Sequence, residues 1–98
     1  MELKKAFGEA LRKIRTAKNL TQEDFSSISS RTYLSTLERG VYSPTVDKLD
    51  AISSILGVHP VTVLTACYLR TDANTDAQSL LARVELELTE INKSSKPS

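Results

Sequence analysis

Apolar residues recur every three or four positions along most of this chain, which is the spacing of one face of an α-helix. The first such stretch predicts a helix over about residues 2–18, with Asn19 as its stop signal. The second predicted helix is short, about 22–27. It follows Thr21, which stands three residues before Asp24 as in a capping box. The chain is therefore predicted to begin with a long amphipathic helix and a short second one.

Serine dominates residues 26–30, and serine hydroxyls compete for the backbone groups that a helix needs. This segment is therefore predicted to be a turn, with Ser30 as the N-cap of a third helix over about 31–39. Two leucines three positions apart share one face of that helix and leave most polar side chains elsewhere. Gly40 is expected to end it, because glycine tolerates the left-handed backbone at a helix C-terminus.

Two more helices are predicted from prolines near their starts, where the missing N–H is not needed. Pro44 is expected to be the first residue of the fourth helix, which packs inward from Val46 onward and stops at Gly57. Pro60 is expected in the first turn of the fifth helix, which is apolar on most sides. The chain is thus predicted to be all-α.

The polar segment 71–76 is predicted to be a joint before a last helix with heptad spacing. An isolated helix of about 15 residues is marginal in water, so this one needs a partner surface, either the core of its own chain or a second copy. Residues 92–98 are expected to fray. The heptad positions are Ala77, Leu81, Val84, Leu88 and Ile91.

The composition supports a single helical domain with a short appendage. The chain has 98 residues, and 3 Gly and 3 Pro are too few for a turn-rich β-sandwich. Charge is uneven: residues 1–44 carry eight basic against five acidic side chains, whereas residues 71–98 carry three against five. A basic front and an acidic tail fit a protein that presents one end to a polyanion.

Several function classes find little support. A single cysteine excludes an internal disulfide, and no metal-ligand cluster, phosphate loop or catalytic triad is visible, so we expect no metal, no cofactor and no enzyme. Cys67 is expected to be a small buried hydrophobic residue, and His59 a capping or surface residue. No secretory signal or membrane span is visible, which predicts a cytoplasmic protein.

A set of residues spread over about 5–66 resembles the Cro/cI-like, or XRE, family of bacterial and phage transcriptional regulators. Its most specific part is the run TQE followed by YLSTLERG. The positions that carry the resemblance are Phe7-Gly8, Leu11-Arg12, Ile14-Arg15, Leu20 to Glu23, Ser30 to Ser35, Leu37 to Gly40, Pro44-Thr45, Leu49, Ile52 and Leu56 to Val58.

The resemblance implies a five-helix lambda-repressor-like DNA-binding domain over 1–70, followed by a dimerisation helix and tail over 71–98. One departure stands out. Only 15 residues separate Gln22 from Glu38, two fewer than the family pattern, and SSISS replaces the family's Ala-x-x-x-Gly turn. The second helix is therefore expected to lose half a turn, or the turn to be rebuilt.

The resemblance makes the helix at 31–39 the recognition element that enters the major groove. Arg31 is the best base-reading candidate, because a guanidinium fits guanine O6 and N7 bidentately. Phosphate contacts are expected from the start of the second helix and from the segments flanking the recognition helix. The other base-reading candidates are Thr32, Ser35 and Thr36, and the phosphate candidates are Arg12, Gln22, Ser30, Tyr33, Arg39, Tyr42, Ser43 and Thr45.

The resemblance also implies a structural ion pair between Arg15 and Glu38. From the resemblance we expect a sequence-specific transcriptional regulator. We expect it to act as a repressor that binds a pseudo-palindromic operator on the nucleoid as a homodimer. The dimer interface is expected to include Val61, Leu64, Tyr68, Leu81, Val84, Leu88 and Ile91.

Two other functions remain open. In one, the chain is an antitoxin whose last helix wraps a toxin and which also binds its own operator. In the other, the helix-turn-helix is only a scaffold for protein or peptide partners. Co-purification of a second chain would favour the first, and a lack of salt-dependent DNA affinity would favour the second.

Overall fold

A computed structural model describes residues 1–94 of the chain, and in this part the secondary structure is entirely helical. The prediction of an all-α fold is confirmed. The elements, in chain order, are α1 (Leu3–Ala17), a 3₁₀ helix (Gln22–Phe25), α2 (Arg31–Glu38), α3 (Val46–Leu56), α4 (Pro60–Thr71) and α5 (Ala77–Ser94).

The first helix crosses the end of α2 at very close range. A Cβ added to Gly8 would lie 2.5 Å from the carbonyl oxygens of Leu37 and Glu38, so only glycine allows this approach. α1 ends as predicted, because Asn19 takes a positive φ of 59°. α1 also packs along α4, so it contacts both α2 and α4.

The second predicted helix is much shorter than the sequence suggested. It is a four-residue 3₁₀ helix rather than an α-helix over 22–27, and residues 26–28 form a turn. Its start is as expected: the Thr21 N–H donates to the Asp24 carboxylate at 2.6 Å. The turn is rebuilt without a left-handed residue, since the positive-φ residues of the described chain are Asn19, Gly40 and Gly57. The segment is two residues shorter than the family pattern, and this difference falls in the second helix and the turn that follows it.

The fourth predicted helix begins two residues later than expected. Thr45 caps it by accepting the Lys48 N–H at 3.1 Å, so Val46 is the first helical residue and Pro44 stays in the loop. The prediction that Val46 packs inward is also wrong, because its side chain is 82% exposed. The helix stops at Gly57 with a φ of 73°, as predicted.

The fifth predicted helix has Pro60 at its start, and the His59 side chain accepts the Val61 N–H at 3.0 Å, which fits the expected capping role. A single apolar core joins α1 to α4. Its buried members are Ala6, Phe7, Ala10, Leu11, Phe25, Leu34, Leu37, Leu49, Ile52, Leu56, Val63 and Cys67.

The last helix contributes little to this core. Every residue from 81 to 93 is exposed, and Leu80 at the start of α5 is half-buried. Asp76 begins the helix by accepting the Ser79 N–H at 2.8 Å. The predicted fraying over 92–98 is wrong for residues 92–94, which are helical, and residues 95–98 lie outside the described part.

Among residues 1–94, no individual helix has both the length and the apolar character needed to cross a membrane. The pair Val46–Leu56 and Pro60–Thr71 meets such a criterion only when the two are added together, across a bend of 103°.

Candidate nucleic-acid interface

The N-terminal end of α2 is on the surface. Arg31, the best base-reading candidate, and Thr32, a second candidate, are exposed and accessible to a ligand. Ser30 caps the helix, since its hydroxyl oxygen accepts the Tyr33 N–H at 3.0 Å. The opposite face of α2 is fixed, because Leu34 and Leu37 are completely buried. The helix thus presents one polar end on a rigid support.

The next turn of α2 is less available. Ser35 and Thr36 are half-buried, and the Thr36 hydroxyl donates to the Tyr33 carbonyl at 2.6 Å. Arg39 is exposed beyond the end of the helix, with its Nε 3.4 Å from the Ser35 carbonyl oxygen. The exposed polar groups of α2 are therefore concentrated at its two ends.

A buried network holds the C-terminal end of α2 against α1. The Glu38 carboxylate accepts hydrogen bonds from Arg15 Nε at 2.6 Å and Arg15 Nη2 at 3.0 Å, so the expected ion pair is bidentate. The Arg15 side chain is 12% exposed and the Glu38 side chain 5% exposed. Arg15 Nη1 also donates to the Leu20 carbonyl at 2.9 Å. The hydrogen bond to Glu38 raises the pKa of Arg15, although burial opposes this.

Gln22, a predicted phosphate contact, belongs to the same network. Its Nε2 donates to Glu38 Oε1 at 3.1 Å, and the side chain is half-buried. The amide therefore links the second helix to the end of α2. This contact was not foreseen from the sequence, where 16 positions separate the two residues.

Lys48 was not singled out from the sequence, but it contacts the turn before α2 and the first turn of that helix. Lys48 Nζ donates to the Ile28 carbonyl at 2.7 Å, within the serine-rich turn. The same nitrogen lies 5.7 Å from the centre of the Tyr33 ring, within cation–π range. Tyr33, a predicted phosphate contact, is half-buried and is thus partly engaged by this lysine.

The remaining predicted phosphate contacts lie on the surface. Arg12 is exposed on α1, and the loop after α2 exposes Tyr42 and Ser43. Thr45 is exposed as well, although its hydroxyl oxygen is occupied as the cap of α3. Exposure makes these residues available to a ligand.

A second surface is apolar and lies on α4. Val61, Leu64 and Tyr68 are 48%, 36% and 47% exposed, and they belong to a helix with no charged residue before Arg70. Leu64 and Tyr68 also line an apolar groove of about 190 Å³ between α1, α4 and the loop before α3. This surface leads toward α5, whose exposed apolar residues are Leu81, Val84, Leu86, Leu88 and Ile91.

Cys67 is buried, as the sequence predicted. Cys67 is 1% exposed, and burial raises the pKa of its thiol, with Arg70 acting in the opposite direction. Among residues 1–94, no group of three or more His, Cys, Asp or Glu side chains is arranged to hold a metal ion.

The 3₁₀ helix, the turn and α2, whose inner face packs on the bundle, have the arrangement of a helix-turn-helix domain. Solved structures share this architecture. One structure of the clp gene regulator ClgR from Corynebacterium glutamicum matches 74% of this chain and 96% of its own, with a TM-score of 0.68 and 30% identity. A second ClgR structure covers 100% of this chain and 98% of its own, with a TM-score of 0.66 and 26% identity.

The family follows from sequence. Residues 11–63 match the helix-turn-helix family model, and the chain belongs to this family, in its XRE, or Cro/cI-like, form. It is 40% identical over 67 residues to an uncharacterized HTH-type transcriptional regulator, y4dJ, of Sinorhizobium fredii, covering 66% of this chain and 87% of the relative. It is 41% identical over 61 residues to the control protein C.BamHI of Bacillus amyloliquefaciens, covering 59% and 75%. The protein is a DNA-binding transcriptional regulator and not an enzyme.

Proposed function

We propose that this chain is a transcriptional repressor that binds a pseudo-palindromic operator as a homodimer, with α2 lying in the major groove. The observation that carries the proposal is the exposure of Arg31 and Thr32 at the N-terminal end of a helix whose other face is buried. In helix-turn-helix proteins this end of the recognition helix contacts base edges. As a DNA-binding regulator, the protein would act in the cytoplasm on the nucleoid.

In this complex Arg31 recognises a guanine through O6 and N7, and Thr32 contacts a neighbouring base edge or thymine methyl group. Ser35 and Thr36 are half-buried and play a smaller part. The DNA backbone is held on both sides of the groove by the surface side chains around α2. These comprise Arg12, Ser30, Arg39, Tyr42, Ser43 and Thr45, together with Gln22 and Tyr33, which are half-buried.

Dimerisation through α4 and α5 is supported by apolar exposure. Val61, Leu64 and Tyr68 lie on a helix face without charges, which can be desolvated at low cost. Two recognition helices about 34 Å apart would then enter successive major grooves, as a palindromic site requires. Such a dimer occupies two turns of DNA, and over a promoter it would exclude polymerase.

Residues 71–98 form the dimerisation segment in this proposal. All the apolar residues from 81 to 91 are exposed within a single chain, which favours contact between protomers over folding back. A parallel zipper is disfavoured, because Glu85 and Glu87 flank the seam and Arg83 already pairs with Glu87 at 3.1 Å.

The role of α5 in dimerisation is tested with Leu88→Glu, which should give monomers in sedimentation at concentrations where the parent chain dimerises. A dimer that survives Leu88→Glu unchanged would contradict this role for α5.

The DNA site is tested by selecting bound sequences from a random duplex library, which reports both the site and its symmetry. Arg31→Ala should then lower affinity for the selected site about tenfold or more and relax the preference at one base position, because it removes a bidentate base contact. Arg39→Ala is the matched control: it removes the same charge from the other end of α2 and should weaken all duplexes evenly. Unchanged footprints for both variants would reject the assigned surface.

Repression is tested by placing the selected site within a promoter, where the protein should lower transcription in proportion to occupancy. An increase in transcription would identify an activator instead.

The same experiments distinguish two other functions. A second chain that co-purifies and covers α5 would indicate an antitoxin, and a lack of salt-dependent affinity for any duplex would indicate a protein-interaction scaffold.

A further inference from the structure

The first turn of α3 carries a lysine at a position that helix electrostatics disfavours. Lys48 is the third helical residue after the cap Thr45, and the N-terminal end of a helix carries partial positive charge. A cation there costs free energy unless other groups compensate it. Asp47 supplies an acidic side chain in the same turn. Two groups outside α3 contact the lysine itself: the Ile28 carbonyl, 2.7 Å from Nζ, and the Tyr33 ring, 5.7 Å away.

Both partners of Lys48 flank the start of the recognition helix. Ile28 lies in the serine-rich turn two residues before the cap Ser30, and Tyr33 is the residue whose N–H that cap satisfies. The turn is closed locally by two hydrogen bonds, from the Ile28 and Ser29 N–H groups to the Phe25 carbonyl at 3.1 and 3.2 Å, and the bond from Lys48 Nζ adds a contact from α3. The lysine therefore links the turn to the bundle at the point where the chain departs from the family pattern.

The two ends of α2 are held by different means. The C-terminal end is fixed by the buried pair of Arg15 and Glu38. At the N-terminal end, where Arg31 stands exposed, the contacts to the bundle include those of Lys48. A shift at this end would move the Arg31 guanidinium relative to a bidentate target, whose geometry is strict.

We propose that Lys48 is a positioning residue for DNA recognition. It holds the turn and Tyr33 so that Arg31 points at its base, and it acts through these groups rather than by gripping a phosphate. The inference rests on the proposed DNA-binding function, and it assigns specificity to a residue outside the recognition helix.

The variants Lys48→Met, Lys48→Gln and Lys48→Arg test this role on the full chain. Affinity is measured for the selected site and for a scrambled duplex, each over a range of salt concentrations. Lys48→Met should lose about tenfold on the selected site, the size expected from one charge-assisted hydrogen bond and one ring contact. It should change little on the scrambled duplex. Lys48→Gln, which can still donate a hydrogen bond, should fall between, and Lys48→Arg should retain most of the affinity.

The salt dependence separates positioning from direct phosphate binding. Removing a phosphate contact lowers the slope of log affinity against log salt by about 0.9, whereas a positioning residue leaves it unchanged. Lys13→Met, an exposed lysine on α1, is the control for loss of one charge. A shallower slope with equal losses on both duplexes would overturn the proposal, as would full affinity of Lys48→Met for the selected site.

Amide hydrogen exchange tests the same proposal without DNA. The Ser29 N–H donates to the Phe25 carbonyl at 3.2 Å within the turn, and its protection should fall in Lys48→Met while that of Leu37 in α2 is retained. Unchanged protection at Ser29 would overturn the role of the lysine in the turn. If the parent chain prefers no duplex, the proposed function fails, and the exchange measurement still decides whether Lys48 holds the turn.

Discussion

The short helix α2 is held firmly by the core, whereas the much longer α5 hardly contacts it. α2 has eight residues, too few to be stable alone, but it buries two leucines completely and is tied at both ends by side chains from other elements. α5 has 18 residues with regular heptad spacing, and Leu86 and Ile91 are each 61% exposed. Tertiary packing thus fixes the short helix, whereas the apolar side chains of the long one remain exposed.

The largest expected effect comes from comparing one leucine in each helix. Leu34→Ala should lower the free energy of unfolding by about 4 kcal/mol, because it leaves a cavity in the core. Leu88→Ala, at a side chain that is 54% exposed, should change the stability of the monomer by less than about 0.5 kcal/mol. Denaturant unfolding at low protein concentration measures both. Equal losses would mean that α5 packs on the core of its own chain.

A slightly smaller effect is expected from the carboxylates. Glu38→Leu leaves the largely buried Arg15 guanidinium without its partner and should cost about 3 kcal/mol. Glu87→Leu breaks the exposed pair with Arg83 and should cost about 0.5 kcal/mol. The same denaturant titrations apply. A small loss in Glu38→Leu would show that solvent or Gln22 replaces the lost partner and that the network does not hold α2.

The smallest effect concerns the start of α5 and depends on pH. Hydrogen bonds from Ser79 lower the pKa of Asp76 below its ordinary value, so the folded form binds its proton less readily than the unfolded form. The stabilisation is therefore present above the unfolded pKa of about 3.9 and is lost as pH falls through the lower folded pKa. The protection factor of the Ser79 amide should fall over that acidic range, and Asp76→Ala should show the low protection already at neutral pH. A rate in the parent chain that matches Asp76→Ala at all pH values would contradict the cap.

Local signals in the sequence predicted the helix boundaries well where they rest on one or two neighbouring residues. Asn19, Gly40 and Gly57 adopt positive φ, and Ser30 caps α2, as their chemistry suggests. The start of α3 was misjudged, because Pro44 and Thr45 both suit a helix start, and in the structure Thr45 caps α3 while Pro44 stays in the loop. Val46, the first helical residue, is exposed.

Only part of the candidate interface was predicted from the sequence. The family pattern placed Arg31 and Thr32 at a helix end that proves to be exposed, and it paired Arg15 with Glu38 across 23 positions. The bond from Gln22 to Glu38 and the contacts of Lys48 with Ile28 and Tyr33 were not foreseen. A cation near a helix N-terminus was the one available signal for Lys48, and it does not say which groups compensate the charge.

The sequence by itself determined the number and order of the helices, most of their caps and the polar end of the recognition helix, because these depend on residues within one or two turns of each other. The tertiary structure decided how the shortened turn is held and which apolar residues remain uncovered. Those outcomes depend on contacts between residues 20 or more positions apart, as between Lys48 and Ile28. Such pairings are set by how whole helices pack, and local spacing does not encode them.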